Sequence, residues 1–239
     1  MTELIVGLDV PTFEEAIAVV DTIGPRVAWY KVGYQAFYAY GDRIVGALHE
    51  RDLHVFLDLK LHDIPNTVAM GIRSLARYRP DMLNVHAAGG GAMLAAAAQA
   101  RDELKARGID MKLLAVTVLT SLSKEELAQV SELEDPHELV AIRAELALRN
   151  GIDGIVCAVD ELPTVRARTD DSLLAVCPGV RPAGAAVDDQ RRIATPADAA
   201  LAGADFIVVS RPIVAAPDPA AAAAAILAEL QTVKPLGAI

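Results

Sequence analysis

Residues 56–68 read FLDLKLHDIPNTV. The stretch opens as an apolar run, sets Asp58, Lys60 and Asp63 within six positions, and passes into Ile-Pro-Asn-Thr. Side chains two apart on a strand share a face. Phe56, Asp58 and Lys60 therefore point one way, and Leu57 and Leu59 the other. The second face is purely apolar and suits covering helices. The first ends in charge, and Pro65 is fit to open a following helix. The stretch reads as a β-strand, a charged loop and the start of a helix.

That unit repeats along the chain. Strands are expected at 4–9, 27–32, 53–58, 81–86, 112–118, 152–157, 173–177 and 205–209. Helices are expected near 12–23, 35–51, 65–78, 90–107, 137–150, 160–168, 196–202 and 218–232. Strand–helix alternation with little linker is the pattern of a parallel sheet. Eight strands in 239 residues match a closed (β/α)₈ barrel, with an open doubly wound sheet as the alternative. The first strand, LIVGLDVP, has Asp and Pro where a dinucleotide fingerprint needs glycines. No composition shift marks a second domain, so residues 1–239 are expected to form one barrel.

In a barrel the inward charges gather at the C-terminal mouth, where such folds keep their chemistry. Asp9 ends the first strand, and Lys31 shares a face of the second with Trp29. Together with Asp58 and Lys60 they would converge there. Desolvating several charges is costly and buried pairs stabilise weakly, so a functional cluster is the better expectation. Arg181 and Arg211 follow the seventh and eighth strands, and Gln190 adds a neutral donor. Loops at those places in barrels often hold phosphate. The polar segment 119–136 is either an ordinary connection or a lid over the mouth.

Composition narrows the function classes. With 22 basic and 32 acidic residues the net charge is −10, which disfavours an extended nucleic-acid surface. A phosphorylated small molecule remains compatible. Cys157 and Cys177 are expected as buried free thiols. The five histidines follow no metal-ligand spacing, and no metal or other cofactor is expected. The N-terminus, MTELIVGLDVP, is unlike a signal peptide, and the alanine run at 220–225 is too short to span a bilayer. The cytoplasm is the expected compartment.

FLDLKLHDIPNTV closely resembles the signature of the orotidine 5′-phosphate decarboxylase family. The resemblance extends over nearly the whole chain, through LDVP at 8–11, YKVG at 30–33, VHAAGG at 85–90, LTS at 119–121, CPGVRPAG at 177–184, DDQRRIATP at 188–196 and VVSRPI at 208–213. Related sugar-phosphate decarboxylases and aldolases share the Asp-x-Lys-x-x-Asp element alone. Its combination with IPNT, PGVR and DQRR is more specific.

The resemblance implies a cofactor-independent decarboxylase acting on orotidine 5′-phosphate to give uridine 5′-phosphate (UMP). It makes Lys31, Asp58, Lys60 and Asp63 an alternating charge network, with Lys60 as proton donor to C6 of the pyrimidine and Asp58 beside the departing carboxylate. Asp9 and Lys31 would contact ribose hydroxyls. Thr120 and Ser121 would face the pyrimidine, and Arg181, Gln190 and Arg211 the phosphate. Asp63 and Thr67 would reach the site of a second subunit, which implies a homodimer. Ser210 departs from the family, which usually has glycine there with its backbone N–H facing phosphate. The alternatives are a metal-assisted aldolase or decarboxylase on a similar barrel, and a non-catalytic phosphate-binding barrel.

Overall fold

The computed structural model describes residues 1–133, 135–182 and 194–232. Eight parallel strands close into a barrel in chain order: β1 Glu3–Gly7, β2 Trp29–Val32, β3 His54–Leu61, β4 Met82–His86, β5 Lys112–Val116, β6 Gly154–Val156, β7 Leu174–Cys177 and β8 Phe206–Val209. The expected closed barrel is the observed one. The open-sheet alternative is excluded, because β8 pairs with β1 from Glu3↔Phe206 to Val6↔Val209.

The covering helices are α1 Phe13–Ile23, α2 Tyr34–His49, α3 Pro65–Leu75, α4 Gly90–Lys105, α5 Lys124–Leu127, α6 Pro136–Arg149, α7 Leu162–Thr169, α8 Pro196–Leu201, α9 Arg211–Val214 and α10 Pro219–Thr232. Several start where local chemistry favours it. Thr12 and Thr195 cap α1 and α8 with their side chains, and Pro65 and Pro136 occupy the first turns of α3 and α6. No described helix is long and apolar enough to cross a membrane.

Period-two alternation sorts two apolar layers. Leu57 and Leu59 join the large core between strands and helices. Ile5, Phe56, Met82, Leu114, Val176, Phe206 and Val208 fill the barrel interior, with Trp29 and Val156 packed against them. Trp29 stacks on His54 with ring centroids 4.5 Å apart near the base. The interior thus passes from aromatic and aliphatic side chains below to charge above.

At the base, a repeated device sets the strand starts. Asp81 Oδ2 accepts the Val55 N–H at 2.8 Å, Asp153 Oδ2 that of Leu113 at 2.8 Å, and Asp205 Oδ2 that of Ala175 at 2.7 Å. Each aspartate precedes β4, β6 or β8 and anchors the strand before it. Each also has a basic partner: His54, Arg101 and Arg166 respectively. These carboxylates satisfy N–H groups at strand ends that would otherwise lack acceptors, and they hold alternate strands in register beneath the site.

Candidate active site

The upper ends of β1, β2 and β3 bring four of the expected charges into a chain of contacts, Asp9–Lys31–Asp58–Lys60. Lys31 Nζ lies 3.1 Å from Asp9 Oδ1 and 3.4 Å from Asp58 Oδ2. Lys60 Nζ lies 2.6 Å from the other Asp58 oxygen. Asp58 therefore bridges two ammonium groups. Space for this comes from two glycines: a Cβ on Gly7 would stand 3.1 Å from Lys31 Cε, and one on Gly33 3.1 Å from Lys31 Nζ.

Burial and charge oppose each other here, and charge wins. Burial works to lower the pKa of Lys31, yet the Asp58 and Asp9 carboxylates hold it above the usual lysine value. Burial likewise works to raise that of Asp58, but Lys31 and Lys60 hold it below the usual carboxylate range. Both groups are ionised at neutral pH. His86, at the tip of β4, is pushed down to about 4 by burial and by the neighbouring His62, Arg143 and Lys60. Its imidazole is neutral, and its Nδ1 accepts the Ala88 N–H at 3.4 Å.

The backbone of Lys60 is unusual. Its φ of 42° lies in the left-handed region, which costs a non-glycine residue roughly 1–2 kcal/mol. The β3–β4 ladder is regular through Leu57↔Leu83 and resumes only at Leu61↔Val85. This irregularity carries β3 three residues beyond its expected end at 58 and aims Lys60 into the mouth. Such strain collects at functional sites.

A cavity of about 450 Å³ opens above these groups, a size suited to a small-molecule ligand. Asp9, Lys31, Asp58 and Lys60 line one side, and Thr120, Ser121, Arg181, Ser210 and Arg211 line the rest. Phe56, Val116, Val156 and Val208 form an apolar floor, none of which was among the residues expected at the site. Their period-two placement on β3, β5, β6 and β8 was the available signal. Arg181 is buried, and Arg211 opens α9 just after β8.

Ser210 adopts a negative φ of −116°, so the absence of glycine imposes no left-handed strain. Its hydroxyl donates to the Gly7 carbonyl at 2.9 Å, tying β8 to β1. Asp63 and Thr67 do not line the cavity and are exposed. Among the described residues Asp63 forms no ion pair; its Oδ1 accepts the Ile64 N–H at 2.6 Å. Gln190 lies outside the described residues. Asn84 of β4 was not a candidate, yet it contacts both Asp58 and Lys60. Cys157 and Cys177 are buried free thiols, as expected. No three His, Cys, Asp or Glu side chains among the described residues converge as a metal-ligand set.

This geometry has close relatives. Residues 2–226 match the model of the family described as "Orotidine 5'-phosphate decarboxylase / HUMPS family". The chain is 49% identical over 227 residues to the orotidine 5′-phosphate decarboxylase of Halorhodospira halophila, covering 95% of each protein. It is 48% identical over 235 residues to that of Moorella thermoacetica, covering 97% of this chain and 93% of the relative. The crystal structure of orotidine 5′-phosphate decarboxylase from Lactobacillus acidophilus superposes with a TM-score of 0.83 at 36% identity, covering 96% of this chain and 99% of that one. The chain belongs to the orotidine 5′-phosphate decarboxylase / HUMPS family.

Proposed function

We propose that the protein removes CO₂ from orotidine 5′-phosphate to give UMP, without a cofactor. The observation that carries this reading is the Asp58 carboxylate held between Lys31 and Lys60 at one side of a cavity whose other side carries Arg181 and Arg211. Relatives with 46–49% identity over nearly the full chain bear the decarboxylase name, which favours that member of a two-activity family.

Departure of CO₂ from C6 leaves an electron pair in an sp² orbital that the pyrimidine π system cannot delocalise. The site must meet this charge electrostatically. The Lys60 ammonium suits the task as a nearby cation and as donor of the proton to C6. Asp58 fixes that ammonium and places negative charge near the substrate carboxylate. The apolar floor of Phe56, Val116, Val156 and Val208 offers the neutral CO₂ a better environment than it offers the carboxylate. Asp9 and Lys31 take the ribose hydroxyls, and Thr120 and Ser121 the pyrimidine edge. Arg181 and Arg211 grip phosphate with the Ser210 N–H, and Gln190 belongs to the same grip. Binding energy from the phosphate end can then be used at the reacting carbon.

Two carboxylates already engaged by lysines make a poor divalent-cation site, which disfavours the metal-assisted aldolase reading. The test is ultraviolet observation of orotidine 5′-phosphate turning into UMP with chelator present. Full activity is expected. An absolute, metal-restorable requirement contradicts the reading.

Asp63 and Thr67 are assigned to the site of a second copy in a homodimer. Exposed Tyr34 and Tyr38 on α2, and Ile64 and Met70 at and beyond the β3 loop, supply apolar surface for such an interface. Segment 119–136 is assigned as a lid. It holds the short helix α5, capped reciprocally by Ser123 and Glu126. Leu127 is buried, while Leu119, Val130 and Leu133 remain exposed. A second cavity of about 350 Å³, lined by Val118, Leu122, Leu127 and His137, borders the segment. Amide hydrogen exchange across 119–133 should slow when UMP binds. Equal exchange with and without UMP contradicts the lid.

A further inference from the structure

Asn84 lies mid-strand in β4, 1% exposed, on the inward face with Met82 below and His86 above. On one side it pairs normally with Leu114 of β5. On the other, the β3–β4 ladder skips Asp58, Leu59 and Lys60. The Asn84 side chain occupies that break. Its Oδ1 accepts the Lys60 N–H at 2.7 Å, and its Nδ2 donates to Asp58 Oδ1 at 2.7 Å.

The orientation of this carboxamide is fixed by chemistry. An ionised carboxylate only accepts and a backbone N–H only donates, so a flipped amide would lose both bonds. One side chain therefore ties the backbone of Lys60, at its left-handed φ, to the carboxylate that holds the Lys60 ammonium. A structural asparagine would need only to satisfy its own amide. This one joins the two ends of the same lysine.

We propose that Asn84 is a positioning residue for decarboxylation: its carboxamide locks the Lys60 backbone and the Asp58 carboxylate into one unit and so sets the aim of the Lys60 ammonium. The proposal rests on the decarboxylase reading. Asn84 need not touch the substrate, and its effect belongs to turnover rather than to nucleotide capture, which lies with the arginine side of the cavity.

The test measures kcat and KM for orotidine 5′-phosphate, and the Kd of UMP, for native protein, Asn84→Leu and Asn84→Asp. Asn84→Leu keeps the branched shape in a somewhat larger side chain and loses both bonds. Its kcat should fall about 100-fold, the scale of a small misplacement of a reacting group, with UMP affinity kept within about threefold. Asn84→Asp keeps the acceptor for the Lys60 N–H but sets a carboxylate against Asp58. The charged groups facing that pair are Lys31 from β2 and Lys60 from β3, with Asp9 of β1 behind Lys31 and the neutral imidazole of His86 above on β4. Its kcat should recover relative to native as pH falls and the introduced carboxyl regains a donor proton. A folded Asn84→Leu with near-native kcat overturns the proposal, and so do proportionate losses of kcat and UMP affinity. Should Asn84→Leu not fold, Asn84→Asp decides alone: near-native turnover at every pH, or a loss that lower pH does not relieve, overturns it. A native protein that lacks decarboxylase activity overturns both readings. Active native protein beside equally active variants overturns the Asn84 assignment alone.

Discussion

Lys60→Ala will stay folded and bind UMP while losing at least about 10⁴-fold in turnover, or roughly 5 kcal/mol of transition-state stabilisation. The magnitude combines a general acid, typically about 10²–10⁴-fold, with electrostatic stabilisation of developing charge, typically about 10²–10³-fold. The fold should survive because Asp58 keeps two partners, Lys31 at 3.4 Å and Asn84 at 2.7 Å. Alanine keeps the Cβ of lysine, so the backbone strain at φ 42° is unchanged by the substitution. The phosphate grip proposed for Arg181 and Arg211, which line the same cavity, should persist. Turnover by stopped-flow absorbance and UMP affinity by calorimetry separate the two effects. A parallel loss of both would place Lys60 in binding instead of chemistry.

The second large effect concerns Asp63. Asp63→Ala alone should lower turnover by about 10²-fold or more, the usual scale for removing a group that orders a catalytic charge. Mixing it with Lys60→Ala should then restore activity. Each heterodimer would contain one site with native Lys60 from one chain and native Asp63 from the other. Random assortment makes half of the dimers hybrids, so about a quarter of native activity should return. The exposed position of Asp63 and its lack of an ion pair among the described residues of its own chain support this arrangement. Verified heterodimers that stay inactive would confine Asp63 to its own subunit.

Much of this architecture is legible in the sequence. Alternation placed Phe56 and Asp58 inward and Leu57 and Leu59 outward, because the pleat has a period of two. The same rule brought Lys31 to the side of Asp58. What it did not reveal follows from its nature, since a period reports a face and never a partner. Lys60 takes a left-handed φ without glycine, so no residue type announced the irregular ladder. Asn84 was hidden for a related reason: a polar residue in an apolar strand gains meaning only when the neighbouring ladder breaks. Asp81 and Asp205 opened their expected strands and Asp153 stood second in its own, whereas the hydrogen bonds of all three run to the preceding strands. Ser210 stood out in the sequence only as a departure from the glycine usual in the family. Barrel closure brings the Gly7 carbonyl to its hydroxyl, a contact between residues 203 positions apart that no local pattern reveals.

The central claim is that this site stabilises negative charge at C6 and delivers a proton there from Lys60. Exchange of the C6 hydrogen of UMP in D₂O tests it most directly, because a site that protonates this carbanion must also form it in reverse. Native protein should introduce deuterium at C6, detected by proton NMR, and Lys60→Ala should not. Exchange by Lys60→Ala at the native rate would contradict the account.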